Sequence, residues 1–257
     1  MSGSIYMAAT GALAYEKQLQ VLSNNLANVN TAGFKKDRGR FRQFVLAEAG
    51  ANENLSLQSR QLSAPEYWME YSTYTDFSEG ALKKTGNPFD LALSGPGFFC
   101  VQTPDGIMYT RRGDFALNAD EVLVTKEGWP VLGRGGEIQI KLSQLSADKR
   151  EFSISEDGTV TVDGSQVERL RIVDFTQSQD LEKAGHNYYR ALKPNMLEEL
   201  DEELEVSQGF LELSNVDTIR MMTEMIEVLR GYESYQKIMR SVDDMNAKLI
   251  NDVGRLA

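Results

Sequence analysis

The sequence predicts an α+β protein in which a central antiparallel β domain is flanked by long N- and C-terminal helices that pair as a coiled-coil layer. Three observations predict it: apolar residues recur every seven positions near both termini, short β-type runs separated by Asp-Gly turns fill the middle, and a polar irregular stretch follows the first helix. The expected division is 1–34 with 210–257 as a terminal helical assembly domain, 35–79 as an extended connector, and 80–209 as the β domain with its return connector.

The amino-terminal repeat places Ile5, Ala12, Leu19 and Leu26 in one register and Ala8, Tyr15, Leu22 and Val29 three residues later. Four unbroken heptads describe either a coiled-coil strand or a long amphipathic helix packed on its own domain. Opposite the seam stand Tyr6, Met7, Leu13, Ala14 and Val21, and Glu16 and Lys17 are the only charges before Lys35. A helix that is apolar all round is buried against several neighbours, and Ala8, Ala9, Gly11, Ala12 and Ala14 let those neighbours come close. A chain of 257 residues has little core to spare for wrapping such a helix, so the cover is expected from other copies. Without them this helix should fray or disorder and become ordered on assembly.

The helix is predicted to end within "SNNLANVNTAGFKK", residues 23–36. Its register puts Asn24 and Asn28 on the outer face and Asn25 and Asn30 beside the seam. Amides donate and accept hydrogen bonds without the desolvation cost of a charge, which suits a surface buried between copies. Asn30 and Gly33 can take the left-handed conformation of a C-terminal cap. Phe34 follows, and Lys35 and Lys36 lie where the helix dipole favours cations. The predicted assembly interface therefore joins Leu13, the four asparagines, Gly33 and Phe34 to the heptad seam.

From Lys35 to Glu79 the chain reads as an extended connector. From Gly80 onward β runs alternate with turns, and Asp-Gly at 105–106, 157–158 and 163–164 are hairpin signals. "GPGFF" and "GRGG" complete no phosphate-binding fingerprint and read as turn glycines. The last helix is expected to be capped by Ser214 or Asn215, with Asp217 in its first turn. Its seam runs through Met225, Tyr232, Met239, Asn246 and Val253, and through Val228, Tyr235, Val242, Leu249 and Leu256. The opposite face, with Glu227, Arg230, Glu233, Lys237, Arg240, Asp244, Lys248 and Arg255, is expected to see water, while Asn246 would fix the register.

Composition excludes several classes of function. A net charge of −11 disfavours nucleic acid or an anionic membrane as partner. No apolar run is long enough to span a bilayer, and no basic, then apolar, leader opens the chain. One cysteine and one histidine cannot build an intramolecular disulfide, a zinc site or a conventional triad. Cys100, in "GFFCV", reads as a small buried hydrophobe and His186 as a loop or strand-end hydrogen-bonder. Ser146 and Lys149 match S-x-x-K without its companion motifs. The carboxylates of Leu197 to Val206 read as a solvated face, the competing reading being a hydrolase site with His186.

Three stretches in series carry a resemblance: "SNNLANVNTAGFKK", "GPGFFCVQTPDGIMYTRRGDFALNADEVLVTKEGWPVLG" and "SQGFLELSNVDTIRMMTEMIEVLRGYESYQKI". They are similar to the bacterial flagellar axial proteins of the rod and hook, and their order covers nearly the whole chain. The opening "MSGSIYMAATGALAYEKQL" and the short single middle domain resemble the proximal-rod F-type members most, with the distal-rod G-type next; the hook type resembles this chain plus an outer domain. The resemblance implies a structural, non-enzymatic subunit without cofactors. It further implies helical stacking with other copies and neighbouring rod proteins, around an export channel, in a basal body that spans the periplasm. Passage through the flagellar type III export apparatus is implied as well. A coiled-coil adaptor of fixed oligomeric size is the remaining alternative from the residues. One departure stands out: in "LNADEVLVT" the family commonly has glycine where Glu121 stands, so a different turn or longer loop is expected there.

Overall fold

The computed structural model describes residues 2–46, 66–141, 152–175, 181–192, 197–199 and 205–254, and the side chains of 8–40, 71–141, 152–175, 181–192 and 205–248 within them. The side chains of Ile5, Leu249 and Val253 lie outside the described set, as do Leu256, Ser146, Lys149 and residues 200–204 altogether. The chain is α+β and forms two compact units: Met1–Asn24 with Asp37–Tyr74 and Ile219–Ala257, and Asn25–Lys36 with Thr75–Thr218.

The first unit holds most of the helices α1 (Ser2–Ala27) and α2 (Thr218–Gly254), and strands β1 (Asp37–Leu46) and β2 (Glu66–Thr75). The 37 residues of α2 make it about 55 Å long at ~1.5 Å per residue. The two helices touch through a reciprocal exchange of aromatic ring and glycine. A Cβ on Gly231 would stand 2.4 Å from the Tyr15 ring, and one on Gly11 would stand 2.5 Å from the Tyr235 ring. The two rings pack on each other with centroids 5.5 Å apart. Four residues forward along α1 match four residues back along α2, so the contact is antiparallel. The described seam positions of α2, from Met225 to Asn246, are all buried or half-buried.

The stretch expected to be an extended connector contains β1 and β2, which hydrogen-bond to each other as a two-stranded sheet. Tyr67, Trp68, Tyr71, Thr73, Tyr74 and Thr75 supply the aromatic and β-branched residues that favour a pleated surface. The signal was masked by the many polar residues between the two strands.

The second unit is built from β3 (Leu82–Lys84), β4 (Leu91–Ser94), β5 (Phe98–Thr103), β6 (Gly106–Thr110), β7 (Ala116–Leu117), β8 (Leu123–Val124), β9 (Phe152–Ile154), β10 (Thr159–Val162), β11 (Ser165–Arg169), β12 (Ile172–Phe175), β13 (Leu181–Gly185), β14 (Tyr188–Ala191), β15 (Leu197–Glu199), β16 (Glu205–Gln208) and β17 (Phe210–Glu212). Its main sheet has the order β13-β14-β6-β5-β12-β15, beside a three-stranded sheet β11-β10-β9 and the pairs β16-β4, β17-β3 and β7-β8. These pairings are antiparallel.

Alternation along β5 splits the core. Phe99 joins Leu91, Leu123, Ile138, Val160 and Ile172, while Phe98 and Cys100 join Tyr109, Val173, Phe175 and Tyr189. Cys100 is fully buried, as a small hydrophobe would be. Each Asp-Gly pair lies at a hairpin. Asp163 (φ 52) and Gly164 (φ 72) form the two-residue turn between β10 and β11. His186 (φ 48) and Asn187 (φ 64) do the same between β13 and β14, which places the histidine in an exposed turn.

At Glu121 the expected change of turn does not occur. Its φ is 60°, so the loop keeps the left-handed conformation despite the side chain. Asn118 holds it there, because its Oδ1 accepts from the backbone N–H groups of Asp120 and Val122 at 2.9 Å each.

Candidate assembly surface

Past Ala27 the chain tightens: Asn28 N–H donates to Asn25 O and Val29 N–H to Leu26 O, three residues back instead of four. Gly33 then turns with φ 64°, but it lies six residues past the end of α1 and so turns the chain beyond the helix instead of capping it, and Asn30 is not among the residues with positive φ. A Cβ at Gly33 would also lie 2.5 Å from the Arg111 backbone, so close approach demands glycine independently of φ.

Beyond Gly33 three passes of the chain are stitched together within the second unit. Gly33 N–H donates to Glu212 O at 2.8 Å and Asn215 N–H to Phe34 O at 3.4 Å. The Asn215 side chain accepts from Lys36 N–H at 2.9 Å and donates to Asp76 O and Ser78 O. Asn215 is therefore spent on this junction and does not cap α2. Ser214 Oγ instead accepts from Val216 N–H, and Asp217 directly precedes the first helical residue, Thr218.

Lys35 and Glu212 lie at the centre, each 1% exposed, with Nζ and Oε1 2.6 Å apart. Lys35 Nζ also donates to Ser78 O at 2.8 Å, and Glu212 Oε1 accepts from Gly80 N–H at 2.8 Å. Arg111 Nη1 faces Glu212 Oε2 at 3.6 Å, while its Nη2 donates to Gly95 O at 2.7 Å. Burial pushes both cations below their ordinary values, against the attraction of Glu212. Removing one partner from such a pair costs roughly 3–5 kcal/mol, because the other charge stays buried. The helix-dipole role expected for Lys35 is thus corrected: α1 ends eight residues earlier, and the lysine serves a buried ion pair.

The residues expected at the assembly interface fall into three groups. Ala8, Ala12, Leu22, Asn25, Gly33, Phe34 and Val228 are buried within the single chain. Tyr15, Leu19, Leu26, Asn28, Val29, Met225, Tyr232, Tyr235, Met239, Val242 and Asn246 are half-buried. Leu13, 56% exposed, and the side chains of Asn24 and Asn30 stand open.

Ile219, Met222, Ile226 and Leu229, which the sequence reading passed over, form an open apolar stripe along the first half of α2. Ile219 is 80% and Ile226 54% exposed. Their spacing is itself a heptad pattern, and the same two positions become Glu233, Gln236, Arg240 and Asp243 further along. Each described residue of the face expected to see water, from Glu227 to Lys248, is exposed, and the apolar stripe lies beside Glu227 and Arg230 in the first half of the helix.

Among the described residues no cluster could hold a metal ion, and no helix is long and apolar enough to cross a membrane. Three family profiles match the chain. "Flagella basal body rod protein" covers residues 5–35, "Flagellar hook protein FlgE/F/G D1 domain" covers 92–162, and "Flagellar basal body rod FlgEFG protein C-terminal" covers 207–252. Two relatives align along almost their entire length. The chain is 34% identical to flagellar basal-body rod protein FlgG of Bacillus subtilis over 269 positions, covering 98% of this chain and 99% of the relative. It is 30% identical to flagellar basal-body rod protein FlgF of Caulobacter vibrioides over 258 positions, covering all of both. Full-length similarity at this level, with the profile matches falling on the α1 junction, the β body and the return into α2, shows that the chain belongs to the flagellar basal-body rod proteins, a structural and non-enzymatic family.

Proposed function

We propose that the chain is a proximal-rod subunit of the F-type, which stacks helically through its terminal helices around the export channel and carries torque across the periplasm. The observation that carries the assembly reading is the open stripe Ile219, Met222, Ile226 and Leu229, since a run of large apolar side chains on one helix face calls for a covering partner. Other copies and neighbouring rod proteins supply that cover, and head-to-tail contacts that do not close give open helical growth. The α1 and α2 seams then continue between subunits as coiled-coil contacts, with Leu13, Asn24 and Asn30 among the groups facing a neighbour. The flagellar type III export apparatus delivers the chain to its site of assembly.

Support for the F-type over the G-type comes from the alignment with the Caulobacter relative, which needs scarcely any insertion, and from the short single middle domain. A density map of an intact basal body tests the assignment. Density for this chain at the base of the rod supports the F-type reading; density in the distal rod would replace it with the G-type.

A further inference from the structure

We propose that Lys35, Glu212 and Arg111 form a latch that makes the docking of each terminal segment on the β body depend on the other. The three charges come from three distant parts of the chain: the segment after α1, the end of β6, and the last strand before α2. Glu212 is the shared element. Its Oε1 takes Lys35 and the Gly80 N–H, whereas its Oε2, which accepts no hydrogen bond from the described residues, faces the Arg111 guanidinium.

If the 33–36 segment lifts away, Glu212 and Arg111 lose the Lys35 ammonium while still buried, and β17 must loosen to let water reach the carboxylate. If β17 lifts away, Lys35 is left buried without its carboxylate and Gly33 loses the acceptor at Glu212 O. The coupling is reciprocal, as coupling between two equilibria must be. Whatever grips the root of one terminal helix is therefore registered at the root of the other. The latch is a property of the single chain and does not depend on its place along the rod.

Amide hydrogen exchange on the full chain reads it out. Lys35→Met is expected to speed exchange at Leu213, which donates to Ala81 O, by on the order of a hundredfold. Glu212→Leu should do the same at Gly33 and Lys36, while Val101 and Met108 in the β5–β6 pair keep their protection in both variants. The double variant Lys35→Met/Glu212→Leu removes one charge of each sign, and Arg111 keeps its Nη2 hydrogen bond to Gly95 O and the attraction of the Glu79 carboxylate. Its exchange at all three sites should return to within about tenfold of the parent. Acceleration confined to the mutated segment, or spread equally through β5 and β6, overturns the latch. So does a double variant no better protected than the worse single one, a comparison that remains valid where a single variant fails to fold.

Discussion

Burial alone would raise the Glu127 carboxyl, yet hydrogen bonds from Tyr188 and Arg112 hold it down to about 2. Tyr188 Oη donates to it at 2.6 Å and Arg112 Nη1 at 2.7 Å, and the Tyr188 ring packs on Trp129 with centroids 4.8 Å apart. Because the folded value lies below the ordinary 4.5, this attachment stabilises the β body above pH 4.5 and is lost as the pH falls from there toward 2. Trp129 emission in a Trp68→Phe background should stay flat from neutral pH to about 5 and change as the carboxyl protonates; Glu127→Gln should remove that acid transition. An emission that ignores acid in the parent would contradict the assignment. Single residues were legible in the sequence where the constraint is local. Gly33 was readable as a left-handed turn because glycine takes positive φ freely, although it lies six residues past α1 and does not cap it, and Cys100 as buried because its neighbours are apolar. Lys35 was misread because its partner lies 177 residues away, and nothing near position 35 announces a carboxylate.

Elements were legible where a period dominates. Both terminal helices follow from their heptads and the β body from its Asp-Gly turns, whereas β1 and β2 were hidden by the polar sequence between them. The open stripe on α2 was missed for another reason: its spacing is as regular as the seam's, and only the structure shows which of two apolar faces α2 covers. The Tyr15–Gly231 and Tyr235–Gly11 exchange fixes the antiparallel register, because a side chain at either glycine would strike a ring. One heptad onward along α1, and one back along α2, the partners become Leu22 and Glu224. Leu22→Cys with Glu224→Cys should therefore form a disulfide readily under mild oxidation, while Leu22→Cys with Tyr232→Cys should not. The reverse preference would mean that the helices pair in another register.

For the whole molecule, the described structure separates what the chain satisfies by itself from what it leaves for others. The β body covers its own aromatic core and stitches both chain ends to it through the junction around Lys35 and Glu212. On α2, by contrast, Ile219 and Ile226 lie mostly in water. The proposed assembly uses this asymmetry: a body that covers its own core, and helices that neighbours would complete. The most direct measurement is the behaviour of Ile226→Asp in cells lacking the native chain. An exposed helical position tolerates the change within roughly 0.5–1 kcal/mol, so the purified variant should melt like the parent. Rod assembly and motility should nevertheless be lost, because the carboxylate would be buried against an apolar neighbour. Normal rods and normal swimming with Asp at that position would contradict assembly through the open face of α2.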